Sequence, residues 1–165
     1  MIAIAIDAFD FGRLKERRDG DLPVSQLPRL MKECVDGEGS LRWALRGGTH
    51  ESGYPELNLQ VSGAVNLICQ RCLKPFSFEV ASESILVLAH DEAQADQIEA
   101  MLEDDDMDVI VGSKALDMVA LIEDEALLAI PQAPKHTQCP AALVVAEEAV
   151  ASNPSPFAML KNLKH

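Results

Sequence analysis

The sequence has few aromatic residues and no long apolar run. Its 165 residues include only five Phe, one Tyr and one Trp, so a buried core must be built mainly from aliphatic side chains. No stretch approaches the roughly 20 consecutive apolar residues of a membrane-spanning helix. Residues 1–7 lack the basic and apolar regions of a secretory signal peptide. We therefore expect a protein without a membrane segment that stays in the cytoplasm.

Positive charge is scarce in this acidic protein. The chain has 14 Lys and Arg against 27 Asp and Glu, a formal net charge of −13. An acidic surface repels phosphate backbones, which disfavours broad, non-specific RNA binding and suits a basic partner better. The densest positive stretch, residues 12–21, contains Lys15, Arg17 and Arg18 and is interpreted as a solvated helix face or loop.

Catalytic motifs are missing as well. The sequence contains no GxSxG, P-loop, GxGxxG or HExxH pattern. Acidic pairs such as Asp104 with Asp106 lie in a run with little to bury, and no nucleophile is paired with a general base. We predict that the protein is not an enzyme, and no small-molecule substrate is evident.

Three runs of alternating apolar and polar residues are the clearest structural pattern. A period of two with one polar face predicts an antiparallel sheet with one side exposed to water. Gly63 falls inside the second run, where a bulge or tight bend is expected. The runs cover residues 41–46, 57–67, and 76–80 continuing into 85–89.

Helices are predicted on both sides of these runs. Apolar residues recur at three- and four-residue spacing over residues 22–34, with Ser25 as a candidate N-cap. An acidic helix is expected over residues 91–103. A further apolar helix is predicted from Ser113, as its N-cap, to Pro131.

Together these elements predict one α+β domain spanning residues 1–165. Its mainly antiparallel sheet is expected to be a meander with helices packed on one face. Short strands are added at residues 2–6 and 109–111, and residues 141–165 are expected to form a peripheral C-terminal tail.

The most specific local motif is a CxxC between the second and third runs. Cys69 and Cys72 form it at the tip of the predicted hairpin, where two thiolates can converge on one metal ion. A tetrahedral site needs two more ligands. His136 and Cys139 have the same three-residue spacing in a proline-rich loop. The pattern predicts a zinc-knuckle-like hairpin tip with these four residues as zinc ligands.

Two other interpretations of the cysteines stay open. They can be small buried side chains, because the two pairs are far apart in sequence and only the fold can bring them together. The CxxC can also serve thiol–disulfide exchange, although Pro75 and a strand follow it. A helix N terminus that would lower a thiol pKa is therefore not expected there. Cys34 lies on the apolar stripe of the early predicted helix and is interpreted as a core residue.

Several short motifs follow one another in a definite order through the second part of the chain. CQRC precedes a strand, an EDE lies in the apolar helix, and a PxxPxH segment follows that helix. The stretches are residues 67–76, 119–125, 127–131, 134–139 and 153–161.

In this order and spacing the motifs resemble those of the YceD family, over roughly residues 55–163. The resemblance implies a bacterial cytoplasmic ribosome biogenesis factor. Such a factor supports the synthesis, processing or accumulation of the 23S ribosomal RNA of the large subunit without acting as an enzyme.

The expected partner is ribosomal RNA or a basic ribosomal or assembly protein. The candidate contact residues are Arg17 and Arg18 in the basic stretch and Arg71 and Lys74 at the hairpin tip. The alternative function is a structural zinc-binding adaptor whose protein partners are unconnected to ribosomes.

Overall fold

The computed structural model describes residues 4–102 and 107–140, which fold around a five-stranded sheet and a separate two-stranded ladder. The strands are β1 (Ala5–Ile6), β2 (Arg17–Pro23), β3 (Ser40–Thr49), β4 (Pro55–Ile68), β5 (Pro75–Ala89), β6 (Met107–Val111) and β7 (Leu116–Asp117). The meander β2-β3-β4-β5 is antiparallel, β6 runs parallel to β5, and β1 pairs with β7. The α+β class with a mainly antiparallel sheet is confirmed.

The helices are short. They are α1 (Ala8–Arg13), α2 (Leu30–Glu33), α3 (Glu92–Met101) and α4 (Met118–Ala129), with a 3-10 turn at Val24–Gln26. None of the helices in the described ranges is long and apolar enough to cross a membrane. The predicted C-terminal tail, residues 141–165, lies outside the described residues.

The predicted start of the last helix is wrong. α4 begins after Asp117, whose carboxylate accepts hydrogen bonds from the amides of Val119 and Ala120. Ser113 cannot cap this helix, because the two residues of β7 are extended and pair with β1 before the helix starts. Asp is as good an N-cap as Ser, so the choice between them depends on that strand pairing.

The helix predicted over residues 22–34 is also wrong. Its first part belongs to β2 and the 3-10 turn, and α2 has only four residues. Pro28 explains the interruption, because a residue before proline avoids the helical region. Leu27 there has φ −110° and ψ 86°. Leu27 and Leu30 are nevertheless fully buried, so the apolar spacing indicated burial correctly.

Only the first part of the basic stretch, residues 12–16, lies in a helix end and loop as interpreted, and the rest is a strand. Residues 17–21 belong to β2, which among the described strands lies at one edge of the sheet and pairs with β3. Charged residues are frequent on edge strands, where they discourage pairing with other chains. The charged composition of this stretch therefore did not indicate a strand.

One face of the meander carries the main core. Leucines that alternate along β3 and β4 point to this face and are fully buried. Phe11 of α1, Leu30 of α2 and Ile122 of α4 belong to the same cluster. These helices therefore cover one face of the sheet, as expected.

α3 packs on the opposite face. Val87 and Ala89 point away from the main core and pack with Ala95 and Ile98 in a second, smaller cluster. Helices thus lie on both faces at the β5–β6 edge, which differs from the predicted arrangement. The uninterrupted apolar run over residues 85–89 reflects this burial on two sides.

Gly63 lies within unbroken strand pairing instead of the predicted bulge or bend. Its partners are Leu41 on β3 and Val80 on β5. Its φ is +157°, and a Cβ atom there would lie 2.5 Å from the carbonyl oxygen of Ser40. Glycine is needed because the neighbouring backbone passes too close for any side chain.

Two buried glutamates fix the position of α4. Glu123 accepts hydrogen bonds from the backbone amides of Arg29 (2.6 Å) and Leu30 (3.0 Å) and from Nε of Arg29 (2.8 Å). Glu125 accepts hydrogen bonds from the hydroxyls of Ser82 and Ser84 on β5. A buried carboxylate needs such donors. These contacts hold the middle of α4 against α2 and the sheet.

Candidate metal centre

Two segments meet at one end of the meander. They are the β4–β5 turn, residues 69–74, and the loop after α4, residues 131–139. The amide of Gln70 donates a hydrogen bond of 2.8 Å to the carbonyl oxygen of Pro134 and joins them. The predicted approach of the two ligand pairs is confirmed. Four potential ligand atoms lie within 4.8 Å of one another, and they belong to Cys69, Cys72, His136 and Cys139.

Three distances within this cluster are close to those of tetrahedral coordination. Cys69 Sγ lies 3.7 Å from Cys139 Sγ. Nδ1 of His136 lies 3.4 Å from Cys72 Sγ and 3.9 Å from Cys139 Sγ. Metal bonds of about 2.3 Å to sulfur and about 2.0–2.1 Å to nitrogen require tetrahedral ligand atoms about 3.5–3.8 Å apart. The four side chains could therefore hold a metal ion without large rearrangement.

The backbone of the turn brings the two CxxC thiols to one side. Leu73 donates its amide hydrogen to the carbonyl oxygen of Cys69 (2.9 Å), and the amide of Cys69 donates to Lys74 (3.0 Å). Leu73 adopts the left-handed conformation, with φ +57°. The amide of Arg71 donates to Cys69 Sγ at 3.4 Å, which is the amide–sulfur contact expected of a zinc-knuckle-like tip.

The Arg71 side chain folds over the cluster. Its Nε donates a hydrogen bond of 3.0 Å to Cys139 Sγ, and its terminal nitrogen donates to the carbonyl oxygen of His136 (3.4 Å). The hydrogen bond to Cys139, and then the charge of that thiolate, raise the pKa of Arg71. Three thiolates and a bound divalent ion would leave one negative charge, which this guanidinium would neutralise. Sequence reasoning missed this role, because a CxxC does not show where its middle residues point.

The thiols differ in acidity. Burial by itself raises the pKa of Cys69, but hydrogen bonds from the backbone amides of His136, Cys72 and Arg71 outweigh it and lower that pKa to about 5. Burial raises the pKa of Cys72. The backbone amides thus lower the thiol pKa at a turn where no helix dipole is available to lower it. Because Cys69 is fully buried, its thiolate is better placed to bind a metal than to attack a disulfide.

The imidazole of His136 lies against an aromatic ring. Its centroid lies 4.9 Å from that of Phe76, with the rings tilted by 37°. Phe76 pairs with Leu67 across the strands and therefore points to the same face. The alternation of β5 was visible in the sequence, but nothing there connected Phe76 with the distant histidine.

The predicted contact residues do not form one patch. Lys74 is exposed in the turn, beside Arg71. Arg17 pairs with Arg46, which pairs with Asn58, ten residues along β4 from Ile68. At about 3.3 Å per residue, the two ends of that segment are about 30 Å apart. Arg17 therefore lies at the other end of the sheet from the cluster.

Arg18 already has local partners. Its guanidinium donates a hydrogen bond to Glu16 (3.3 Å) and lies 5.6 Å from the centroid of the Phe11 ring.

Cys34, interpreted as a core residue, packs against the main core. Burial, and then the charges of Asp36 and Glu33, raise the pKa of its thiol.

Fold and cluster together define a class of protein. It is a small α+β protein with a candidate site of three cysteines and one histidine, which could supply a protein ligand for all four tetrahedral positions. A closed ligand set is typical of structural metal sites, since catalytic sites keep a position open for water or substrate.

Comparison with known proteins identifies the family. A family model described as "Large ribosomal RNA subunit accumulation protein YceD" matches residues 57–164, a range that includes all four cluster residues. This chain belongs to the YceD family. It is similar to the Haemophilus influenzae "Large ribosomal RNA subunit accumulation protein YceD", with 31% identity over 152 residues that cover 88% of this chain and 86% of that protein. No solved structure matches the chain.

Proposed function

We propose that this protein supports accumulation of the 23S ribosomal RNA in the bacterial cytoplasm, acting as a non-enzymatic ribosome biogenesis factor. Membership of the YceD family carries the proposal, because the family description names this role and the match covers residues 57–164. A closed ligand set is typical of structural rather than catalytic metal sites. It supports a role in holding partners rather than in transforming a substrate.

We infer that the ion held by the cluster is Zn²⁺. Soft thiolates with one imidazole, at tetrahedral spacing, are the ligands that zinc prefers. The ion would join the β4–β5 turn to the loop after α4, since each segment contributes two of the four ligands. Its chemistry there is structural.

Metal analysis tests the zinc proposal. Protein purified under reducing conditions should contain about one zinc ion per chain, and a Cys69→Ser, Cys139→Ser double variant should contain almost none. Cys34→Ser is the matched control, because Cys34 lies outside the cluster. A wild-type zinc content near zero would overturn the proposal.

For the partner we propose ribosomal RNA or a basic protein of the large subunit. The net charge of −13 favours the basic protein. RNA contact would have to be local and to use either Arg71 and Lys74 at the hairpin tip or Arg17 and Arg18 at the other end of the sheet. Because Arg71 is engaged with Cys139, its contribution to RNA binding would depend on the state of the cluster.

Gene deletion tests the function. Cells without the gene should contain less 23S than 16S ribosomal RNA when compared with the parent strain, and a plasmid copy should restore the ratio. A Cys34→Ser copy should restore it fully, whereas the Cys69→Ser, Cys139→Ser copy should not. A normal ratio in the deletion strain would contradict the proposed function.

A second candidate is a zinc-stabilised adaptor whose partners are unconnected to ribosomes. The cluster favours it, because structural zinc sites commonly support protein-binding modules. This candidate predicts full zinc occupancy together with normal ribosomal RNA levels in the deletion strain, so the two experiments above distinguish it.

A further inference from the structure

A groove lies beside the cluster, between the end of β4 and the loop after α4. It is lined by Leu67 and Ile68 of β4 and by Leu127 and Ile130 at the end of α4. Gln70 of the turn also lines it, together with Pro131, Gln132 and Pro134 of the loop. The groove is thus bordered by the same two segments that the candidate metal ion would join.

The size of the groove restricts what can enter it. Its volume is about 230 Å³, whereas pockets that enclose small-molecule ligands measure about 300–1,000 Å³. Six of its nine lining residues are Leu, Ile or Pro, while about half of the surface exposed to the groove is polar, so it suits an apolar side chain flanked by polar or charged groups. The groove therefore suits one side chain of a peptide better than a cofactor.

Charge at the groove selects among such occupants. Glu33 is the only ionisable residue among those that line it, and Gln70 and Gln132 are neutral. Within these lining residues no cation is present to meet a phosphate, and Glu33 repels one. An apolar side chain can pack against the apolar lining residues, and a lysine or arginine beside it can pair with the Glu33 carboxylate. The acidic net charge of the chain acts in the same direction.

The groove depends on the junction that the metal would stabilise. Gln70 lies between the ligands Cys69 and Cys72, and its amide donates to Pro134, two residues before His136. Loss of the ion would leave that hydrogen bond as the direct backbone link between Gln70 and the loop. Separation of the two segments would widen the groove and remove one of its sides.

We propose that this groove is a docking site for a basic peptide segment of a partner protein. One apolar side chain of that segment enters the groove, and an adjacent lysine or arginine pairs with Glu33. The bound metal ion keeps the groove in shape, so docking requires it. The proposal rests on the proposed function for one point only, that the segment belongs to a protein of the large ribosomal subunit.

The test uses the zinc-loaded full chain and overlapping peptides that cover the proteins of the bacterial large ribosomal subunit. Peptides that bind should share an apolar residue flanked by lysine or arginine. For the best of them, fluorescence anisotropy should show at least a tenfold loss of affinity with Ile130→Glu and with Glu33→Lys. Removal of zinc by a chelator should also abolish binding, and added zinc should restore it.

Controls make each outcome decisive. Leu14→Glu changes a leucine that is 57% exposed and outside the groove, and it should leave the affinity unchanged. Glu33 is exposed, so Glu33→Lys remains a valid test even where Ile130→Glu weakens folding. The proposal is overturned if no peptide binds, if both groove variants bind normally, or if zinc removal has no effect.

Failure of this inference can be told apart from failure of the proposed function. If the deletion strain loses 23S RNA and the Glu33→Lys copy restores it fully, the groove is not the docking site although the function stands. If the deletion strain is normal, the function fails. Binding of peptides from unrelated basic proteins, with the same dependence on Glu33 and zinc, would then still support the groove.

Discussion

The sheet core and the hairpin tip are held together by different interactions. The core consists of leucines at alternate positions of neighbouring strands, and it is fully buried. In the cluster at the tip, Cys69 is buried, whereas Cys72, His136 and Cys139 are only half-buried. The order of the tip comes from hydrogen bonds to sulfur and, in our proposal, from a metal ion. A fold of this size can thus combine a region specified by apolar area with one specified by ligand chemistry.

The difference indicates that the two regions can be perturbed separately. Burial of aliphatic side chains is non-directional and proportional to area. Metal coordination is directional and fails when a single ligand atom is lost. We therefore expect core variants to change the free energy of unfolding and tip variants to change metal affinity.

The largest expected effect is that of Leu59→Ala in β4. Leu59 is fully buried between its partners Leu45 and Ser84, so truncation should lower the free energy of unfolding by about 2–5 kcal/mol. Urea denaturation followed by circular dichroism measures this change. Leu14→Ala, at an exposed position, is the control and should change it by less than about 0.5 kcal/mol. If Leu59→Ala also removes zinc from the folded protein, the two regions are a single unit.

The next effect concerns the connection between the regions. Glu123→Ala removes the acceptor of the amides of Arg29 and Leu30 and leaves a buried donor unpaired. We expect a loss of about 1–3 kcal/mol in the free energy of unfolding. Asp124→Ala, on the exposed side of the same helix, should cost less than about 1 kcal/mol. Equal effects of the two variants would show that Glu123 does not anchor α4.

Much of the fold could be predicted, because alternation reports directly which residues face the core. The runs around Trp43, Leu59 and Phe78 became β3, β4 and β5. The early helix failed because Leu27 and Leu30 have helical spacing, while Pro28 between them interrupts the helix. Spacing reports burial, but a single proline decides the backbone conformation.

The four candidate ligands could be predicted from the sequence, whereas the contacts around them could not. Two equally spaced ligand pairs are a strong pattern, and the fold brings Cys69 and Cys139 together. The direction of the Arg71 side chain and the low pKa of Cys69 depend on individual hydrogen bonds across the turn. Such contacts arise from tertiary structure, so no residue pattern along the chain reports them.

The third effect separates Arg71 as a support of the cluster from Arg71 as a partner contact. Arg71→Gln removes the charged hydrogen bond to Cys139, and loss of such a contact outside the ligand set typically lowers metal affinity by about 10–100-fold. Chelator competition measures zinc affinity, and the sulfur-to-metal absorption bands of the cobalt-substituted protein should shift. Lys74→Gln, at the exposed neighbouring position, should change neither. Unchanged affinity and spectrum in Arg71→Gln would leave Arg71 as a candidate partner contact alone.

The smallest effect uses backbone strain at one position in each region. Leu73, at the tip, has φ +57°, and Lys15, between α1 and β2, has φ +52°. Left-handed conformations cost an L-residue about 1–2 kcal/mol. Glycine relieves that cost but increases the entropy of the unfolded chain. Leu73→Gly should therefore raise zinc affinity a few-fold, by about 0.5–1 kcal/mol, with little change in urea denaturation. Lys15→Gly should do the reverse and raise the free energy of unfolding without changing zinc affinity. Both substitutions replace a left-handed residue with glycine. If Leu73→Gly changes only zinc affinity and Lys15→Gly changes only the free energy of unfolding, the core and the tip are stabilised independently. If both variants change the same quantity, they are not.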